Sequence, residues 1–289
     1  MSIDKVGMIV KGVGGAYTVL ADDIFYVCNA RGIFRNTKTT PLIGDYVVIS
    51  VTNEDKKIGT LHTIKPRKNE LRRPPVANID QVIVTVATEQ PAFNPGLLDR
   101  LLALIEYEDI PAVICVNKSD IAKNDSFMPY IKAGYPVIYT STVQQSDGLM
   151  ELKQNMAGKT SVFAGPSGVG KSSLINVLMP KLALEIGTLS TKLGRGKHTT
   201  RHSEIFRLDQ GGYCVDTPGF TSLETSAIPK NVMALLFKEF QQFSTECRFA
   251  DCLHHHEIGC AVKEQIGKEV SAARYESYIK MLEGVSIRF

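Results

Sequence analysis

The chain has 289 residues, of which 44% are hydrophobic and 22% are charged, and its formal net charge is only +3. This length suits two or three domains with real hydrophobic cores. The small net charge excludes a bulk polycation, so any contact with nucleic acid must depend on local basic clusters. No stretch approaches the roughly 18 consecutive apolar residues of a membrane helix. The chain also begins without the layout of a secretion signal, and its 6 cysteines are too few for a disulfide scaffold. We therefore expect a cytoplasmic protein with no membrane partner.

Residues 1–70 predict a small all-β domain. Short apolar runs at Tyr17–Leu20, Ile24–Cys28 and Tyr46–Val51 alternate with glycine-rich turn signals. About five short strands in this length favour a closed barrel, most simply an OB-fold. Aromatic side chains beside basic ones could stack on bases, although we expect most of them in the barrel core. The aromatic residues are Tyr17, Phe25, Tyr26, Phe34 and Tyr46, and the basic ones are Lys11, Arg31, Arg35 and Lys38.

Residues 71–222 predict a doubly wound α/β sheet. Ile79–Ala87 is a near-continuous apolar run, which is typical of a buried parallel strand, and Leu97–Glu108 has helical periodicity. Alternation of strands and helices continues along this region. The other predicted strands are Ala112–Val116, Val137–Thr140, Ser161–Ala164, Ile205–Leu208 and Tyr213–Val215, with helices at Leu149–Met156 and Lys171–Leu178. Ligands of such sheets bind at the carboxyl ends of the strands, where the motifs below fall.

A glycine-rich segment between a predicted strand and a predicted helix has the pattern G-x-x-x-x-G-K-S, which indicates a phosphate-binding loop. Its glycines allow backbone N–H groups to face phosphate oxygens, and the helix N-terminus adds to the attraction. Lys171 would bridge the β- and γ-phosphates. Ser172 would bind Mg²⁺, and Asp216 of a D-x-P-G motif would hold that ion from a second strand end. The predicted loop residues are Gly165, Pro166, Ser167, Gly168, Val169, Gly170, Lys171, Ser172 and Ser173.

A second motif, N-K-x-D, lies just past a predicted buried strand. The Asp120 carboxylate can accept two N–H bonds from the N1 and N2 edge of guanine, a donor pair that adenine lacks. Asn117 can fix the loop and contact the base, and the Lys118 stem can pack along the ring, while Ser119 fills the free position. The next strand leads into Ser141, whose segment could offer a backbone N–H to guanine O6.

These two motifs occur in an inverted order, because regulatory GTPases carry the phosphate loop before the guanine motif. Joining residues 159–222 to residues 71–158 restores the usual order, so the sequence predicts a circularly permuted P-loop GTPase domain. Compact domains tolerate such a cut because their termini often lie close together. The segment after Gly219, where a γ-phosphate contact would form, leads directly into the C-terminal residues. We therefore expect the nucleotide to act on the C-terminal domain.

The group that positions the hydrolytic water is not evident. Many GTPases place a glutamine after the glycine of this motif, but this chain has Phe220. We therefore expect slow intrinsic GTP hydrolysis, with a partner that completes the catalytic site. Arg195 and Arg201 are candidate arginine fingers by proximity to the switch alone. Gly168 stands where K⁺-dependent GTPases carry an asparagine, which argues against K⁺.

The segment Lys192–Arg201 carries four basic residues and no acidic residue. It is either a solvated loop or a contact for RNA phosphates, in which case binding would be sensitive to salt. Thr199 or Thr200 is expected to cap Mg²⁺ in the GTP state.

Residues 223–289 predict a helical domain with helices at Asn231–Phe240 and Ser271–Leu282. Between them lies the cluster Cys247-x4-Cys252-x-His254-x5-Cys260. Three thiolates and an imidazole suit one closed, structural, tetrahedral Zn²⁺. His255 and His256 compete with His254 on local grounds, and the alternative is a set of reduced cysteines beside solvated histidines.

The whole chain resembles the RsgA family, also called YjeQ or YloQ, of bacterial circularly permuted GTPases that assist assembly of the small ribosomal subunit. The resemblance extends to the order of barrel, permuted GTPase domain and zinc domain, and it selects His254 as the histidine ligand. Thr142 departs from the small alanine that many GTPases carry at its position. The matching segments are Asn117–Asp120, Gly165–Ser173 as G-P-S-G-V-G-K-S-S, Gly194–Thr200 as G-R-G-K-H-T-T, Asp216–Gly219 and the Cys/His cluster.

The resemblance implies a GTP-hydrolysing factor that acts late in maturation of the small subunit, binds its rRNA, is stimulated by it and leaves after hydrolysis. It also implies inhibition by guanosine tetraphosphate. We further expect Mg²⁺ to accompany GTP and the protein to be a monomer. Two other hypotheses stay open: an RNA-binding module whose nucleotide is a slow structural ligand, and a GTPase that acts on tRNA or another RNA.

Overall fold

The computed structural model describes residues 3–30, 40–72, 75–122, 125–144, 147–179, 204–216 and 228–284. The chain divides into two compact units, and each takes pieces from separate parts of the sequence. The first contains residues 1–81, 156–163 and 179–220, and the second contains residues 82–155, 164–178 and 221–289. No helix within these described segments is long and apolar enough to cross a membrane.

A closed five-stranded barrel begins the first unit, as the sequence predicts. Its strands are β1 (Ile3–Val13), β2 (Ala16–Ala21), β3 (Ile24–Ala30), β4 (Tyr46–Asn53) and β5 (Ile58–Ile64). β1, β2 and β3 pair in succession, β3 runs parallel to β5, and β4 pairs with both β5 and β1, which closes the barrel.

Alternation along the barrel strands decides which aromatic residues face the core. Tyr26 is fully buried in the core, whereas Phe25 and Tyr46 are exposed and Tyr17 is half-buried. The expectation that most of these rings fill the core is therefore wrong for Phe25 and Tyr46, whose positions face outward from the barrel wall. Phe34 and its basic neighbours Arg31, Arg35 and Lys38 lie outside the described residues.

The first unit continues with a short hairpin and three further strands. The hairpin pairs β6 (Glu70–Arg72) with β7 (Pro75–Ala77). The later strands are β11 (Thr160–Ala164), β12 (Glu204–Arg207) and β13 (Tyr213–Asp216). β11 is parallel to β13, β13 is antiparallel to β12, and β12 pairs with β1 of the barrel.

The second unit is built on three parallel strands, β8 (Gln81–Ala87), β9 (Ala112–Asn117) and β10 (Val137–Tyr139). Every residue of β8 and β9 is buried, which explains their mainly apolar sequences, with Gln81, Thr85 and Asn117 as the buried polar residues. The helices of this part are α1 (Pro95–Tyr107), α2 (Met128–Lys132), α3 (Asp147–Met156) and α4 (Lys171–Leu178). Asn94 caps α1, because its side chain accepts from Leu97 N at 3.1 Å.

The C-terminal part of this unit is helical, as predicted, but the single helix expected at Asn231–Phe240 is wrong. The chain forms α5 (Lys230–Met233), a 3₁₀ turn and α6 (Lys238–Ser244). Phe237 interrupts the helix with φ −102° and ψ 97°. Its buried ring stacks on Phe240 and meets Tyr278 edge-on, with centroids 5.1 and 5.3 Å away. Aromatic packing thus outweighs helical propensity here. The remaining helices are α7 (Ala261–Glu264) and α8 (Ala272–Leu282).

Candidate nucleotide and metal sites

The glycine-rich loop follows β11 and leads into α4, as its motif requires. Gly165 has φ +131°, and a Cβ there would lie 2.0 Å from the Thr85 carbonyl oxygen. Gly170 has φ +94°, and a Cβ there would lie 2.3 Å from Asn117 Nδ2. Only glycine suits both positions, so these two residues allow the loop to lie against the end of β8 and against the N-K-x-D motif.

Lys171 begins α4 and lies over the loop. Its Nζ donates to the carbonyl oxygens of Gly165 at 2.8 Å and Pro166 at 2.7 Å. Ser172 and Ser173 are exposed in the first turn of the helix. The ammonium group and the helix N-terminus therefore favour an anion at the same point.

Asn117 connects the two motifs through its buried amide. Its Nδ2 donates to the Val169 carbonyl oxygen of the glycine-rich loop at 2.9 Å. Its Oδ1 accepts from the Thr140 hydroxyl at 3.2 Å, and that hydroxyl also lies 3.3 Å from Cys115 Sγ. These contacts fix the relative positions of three loops. Thr140 was not among the predicted site residues. The sequence signal that could have identified it is its position directly before Ser141.

Asp120 is oriented by the segment that follows β10. Ser141 Oγ donates to Asp120 Oδ1 and accepts from the backbone N–H groups of Val143 and Gln144 at 3.2 and 3.0 Å. Ser119 N–H donates to the Thr140 carbonyl oxygen at 3.0 Å. The side chain of Ser141 thus orients the Asp120 carboxylate, beyond the backbone contact that the sequence suggested.

Lys118 occupies the left-handed region, with φ +61°. Its Nζ donates to the carbonyl oxygen of Gln90. Gln90 belongs to the loop between β8 and α1, and this loop carries no sequence motif. The contact therefore could not be read from the sequence.

Several other predicted residues fall outside the described part of the chain. Thr199, Thr200, Gly219, Phe220 and the basic segment at 192–201 are among them. Asp216 ends β13 in the first unit, and the structure describes its backbone alone. Its partnership with Ser172 on Mg²⁺ stays a prediction.

Three cysteines and one histidine converge in the C-terminal part of the second unit, with their candidate ligand atoms all within 4.8 Å of one another. These residues are Cys247, Cys252, His254 and Cys260. Cys247 Sγ lies 3.6 Å from His254 Nδ1 and 3.9 Å from Cys260 Sγ, and Cys260 Sγ lies 3.4 Å from His254 Nδ1. A tetrahedral zinc ion would require edges of roughly 3.8 Å between sulfurs and roughly 3.6 Å between sulfur and nitrogen. The donor set and its geometry therefore fit zinc.

Burial around this cluster favours the neutral forms of its side chains. Burial raises the pKa of Cys252 to about 12 and also raises the pKa of Cys260, while it lowers the pKa of His254. His255 and His256 stack on each other at 3.5 Å, and His255 faces Glu283. The two competing histidines are thus engaged elsewhere.

The phosphate loop, the guanine motif and their inverted order, with a closed barrel and a Cys3His cluster, define a circularly permuted GTPase. The RsgA N-terminal domain family matches residues 6–59, and the RsgA GTPase family matches residues 64–226. The chain belongs to the RsgA GTPase family, which confirms the resemblance seen in its motifs.

Individual relatives cover nearly the whole chain. The small ribosomal subunit biogenesis GTPase RsgA of Alkaliphilus metalliredigens is 46% identical over 281 residues, which span 96% of each protein. The structure of YloQ, a circularly permuted GTPase, is 37% identical with a TM-score of 0.81, and covers 99% of this chain and 98% of its own. YjeQ from Thermotoga maritima is 32% identical with a TM-score of 0.82, and covers 99% and 100%.

Proposed function

We propose that this protein binds GTP and hydrolyses it to GDP and phosphate while it acts as an assembly factor on the small ribosomal subunit. The observation that carries the proposal is the Asn117 amide, which joins the guanine motif to the phosphate loop at Val169. One nucleotide could therefore contact both motifs. Relatives named for biogenesis of the small ribosomal subunit support the choice of partner.

Each predicted residue has a role in this proposal. Asp120 selects guanine through its N1 and N2 edge, and the loop at 165–173 binds the phosphates. Mg²⁺ would neutralise the β- and γ-phosphates, with Ser172 and Asp216 as its protein ligands. Thr199 or Thr200 would complete that site, and Gly219 would contact the γ-phosphate.

Hydrolysis in this proposal depends on the partner. Phe220 cannot bind the attacking water, so the missing group comes from the assembled complex. The basic segment at 192–201 would contact rRNA phosphates, which makes the association salt-sensitive. Hydrolysis then releases the factor from the subunit.

The proposal also includes a bound metal ion, an inhibitor, the cellular location and the oligomeric state. Cys247, Cys252, His254 and Cys260 hold one structural Zn²⁺. A pocket that binds guanine and a diphosphate also accepts guanosine tetraphosphate as an inhibitor. The protein acts in the cytoplasm as a monomer.

Phosphate release from GTP, measured with and without purified small subunits, tests this function. We expect slow turnover alone and stimulation of tenfold or more with small subunits. Lys171→Ala is the matched control, because it should abolish turnover and leave the zinc content unchanged. Turnover without stimulation would instead favour an RNA-binding module with a structural nucleotide. Co-sedimentation in a GTP analogue, with large subunits and tRNA as competitors, separates the remaining RNA partners.

A further inference from the structure

A buried charge cluster joins α1 to the C-terminal helices within the second unit. Arg274 of α8 donates from Nη1 to Asp99 Oδ1 of α1 at 2.6 Å. It also donates from Nε and Nη2 to the Glu239 carboxylate of α6, the second bond at 2.9 Å. Arg274 is only 2% exposed. Buried pairs with this bidentate geometry hold their elements in one arrangement, and loss of one partner is strongly destabilising.

The segment that leads into α1 contacts the nucleotide loops, and Asp99 lies only five residues after the Asn94 cap of the same helix. Lys118 of the guanine motif donates to the Gln90 carbonyl oxygen, four residues before the Asn94 cap of the helix. The same lead-in segment and the phosphate loop enclose an apolar cavity of about 160 Å³, with Pro91 and Phe93 on one side and Pro166 on the other. The segment before α1 therefore contacts the guanine motif and borders a cavity that it shares with the phosphate loop.

The C-terminal end of this arrangement leads to the metal cluster. Glu239 precedes Phe240, whose ring meets His254 edge-on at 5.8 Å and stacks on Phe237. The Arg274 guanidinium lies 5.1 Å from the centre of the Phe237 ring. Successive contacts thus connect the guanine motif, through α1, Arg274 and the rings of Phe237 and Phe240, to the candidate zinc ligand His254.

We infer that α1, held by Arg274, transmits nucleotide occupancy to the C-terminal helical part of the protein. The inference rests on the proposed nucleotide site. It differs from the predicted route through the segment after Gly219, because it requires only contacts among described residues. A cavity of about 240 Å³ adjoins the Arg274 cluster between Phe93 of the lead-in and the start of α8, so a shift of α1 need not break dense packing.

The coupling has a definite energetic direction. Asn117 and Thr140 already position the guanine loop, so bound nucleotide acts on α1 through Lys118, which contacts the lead-in of the helix at Gln90. The charge cluster already restrains α1, so it lowers the ordering cost of binding. Loss of the restraint weakens GDP binding about fivefold, and by reciprocity GDP binding protects α8 from hydrogen exchange.

Three variants of the full-length, zinc-loaded protein test this coupling. Asp99→Leu breaks the link to α1 and leaves the Arg274–Glu239 pair neutral. Asp99→Asn keeps an acceptor for Arg274 and serves as the conservative rescue. Glu106→Gln is the matched control, because it removes the ion pair between α1 and α6, that of Glu106 with Lys238 at 2.8 Å, and leaves the buried Arg274 cluster intact. GDP affinity and exchange of residues 272–282 with and without saturating GDP are measured for each.

We expect GDP to slow exchange of α8 in the wild type, in Asp99→Asn and in Glu106→Gln. Asp99→Leu should lose that response and bind GDP about fivefold more weakly. If Asp99 has a purely structural role, the folded variant should instead bind GDP with unchanged affinity. Unchanged α8 exchange in the GDP-saturated wild type would overturn the coupling and leave the proposed function intact. Failure of the wild type to bind GDP would overturn both. If Asp99→Leu does not fold, the wild-type exchange measurement alone decides.

Discussion

The two candidate sites of the second unit are held together in different ways. The nucleotide loops are linked by the protein's own hydrogen bonds, from Asn117 to Val169 and from Thr140 to Asn117. The metal cluster instead brings three thiols and an imidazole to within 4.8 Å of one another, where burial disfavours the charged thiolates. The first site is therefore preorganised for its ligand, whereas we predict that the second depends on a bound ion for its stability.

Removal of zinc should give the largest effect. If the metal cluster stayed folded without its ion, the contrast drawn between the two sites would be wrong. Cys260→Ser removes one ligand and weakens the cap of α7, since Cys260 Sγ accepts from Lys263 N–H at 3.5 Å. Structural zinc supplies much of the folding energy of small metal domains, so we expect roughly 5 kcal/mol or more of lost stability. Zinc content and hydrogen exchange of residues 272–282 are the measurements, with protection of β9 retained.

His256→Ala is the matched control for the zinc ligand, because His256 is exposed and stacks on His255 instead of facing the cluster. It should keep one zinc ion per chain and normal exchange. Equal protection of α8 with and without zinc would show that the cluster does not depend on its ion.

Asp120→Asn should give the next largest effect, at the site held by hydrogen bonds. Asparagine cannot accept both N–H bonds from guanine, but its NH₂ group can donate to the oxygen at C2 of xanthine. We expect GTP affinity to fall about 10²–10³-fold and xanthosine triphosphate to bind better than GTP. Competition binding measures the exchange of preference. Ser119→Ala is the control at the free position of the motif, and a guanine preference kept by Asp120→Asn would refute the assignment.

The sequence predicted the elements around the nucleotide site well because their signals are local. The phosphate loop determines where its helix starts, and Lys171–Leu178 is helical as expected. The buried strand that leads into Asn117 also appears, since β9 is apolar from Ala112 to Val116. Contacts between loops depend instead on how distant segments approach, so the links from Lys118 to Gln90 and from Thr140 to Asn117 were not foreseen.

The C-terminal part was harder to predict for a related reason. The Cys/His spacing identified the cluster, and the structure places His254 with the three cysteines while His255 and His256 stack on each other. Helical periodicity alone could not reveal the break at Phe237, because the burial of that ring against Tyr278 is a tertiary effect. The Arg274 cluster joins residues far apart in sequence, so the residues around Asp99 carry no local signal that predicts it.

The charge cluster between these regions should give the stability of the protein a distinct pH dependence. Burial raises the pKa of Asp99 to about 6, although the charge of Arg274 opposes the shift. The folded protein therefore binds this proton more tightly than the unfolded chain does, and stability falls as the pH rises from about 4 through 6. Asp99→Asn lacks this proton, so the wild type should lose on the order of 3 kcal/mol relative to the variant across that range.

Urea unfolding at several pH values between 4.5 and 7.5 measures this difference. The groups that face Asp99 are Arg274, Glu239 and Tyr130, and the variant leaves all three in place. Glu106→Gln, at the other end of α1, should follow the wild-type profile. Parallel profiles for Asp99→Asn and the wild type would mean that Asp99 does not titrate in this range.

Thr140→Val should give the smallest effect and sharpen the account of preorganisation. The change removes the buried hydroxyl that donates to Asn117 Oδ1 and keeps the shape of the side chain. One neutral hydrogen bond contributes about 1 kcal/mol, so the affinity for GDP should fall about fivefold. Because Asp120 is unchanged, xanthosine and guanosine nucleotides should lose affinity by the same factor.

Thr85→Val is the matched control for this change. Thr85 is fully buried on β8, and its hydroxyl makes no hydrogen bond among the residues that the structure describes. Its replacement should therefore leave GDP binding unaltered. If both variants weaken GDP binding equally, general packing near the strand ends would explain the loss. A loss confined to Thr140→Val would mean that the hydrogen bonds between loops, and not the packing beneath them, hold Asn117 in position for the nucleotide.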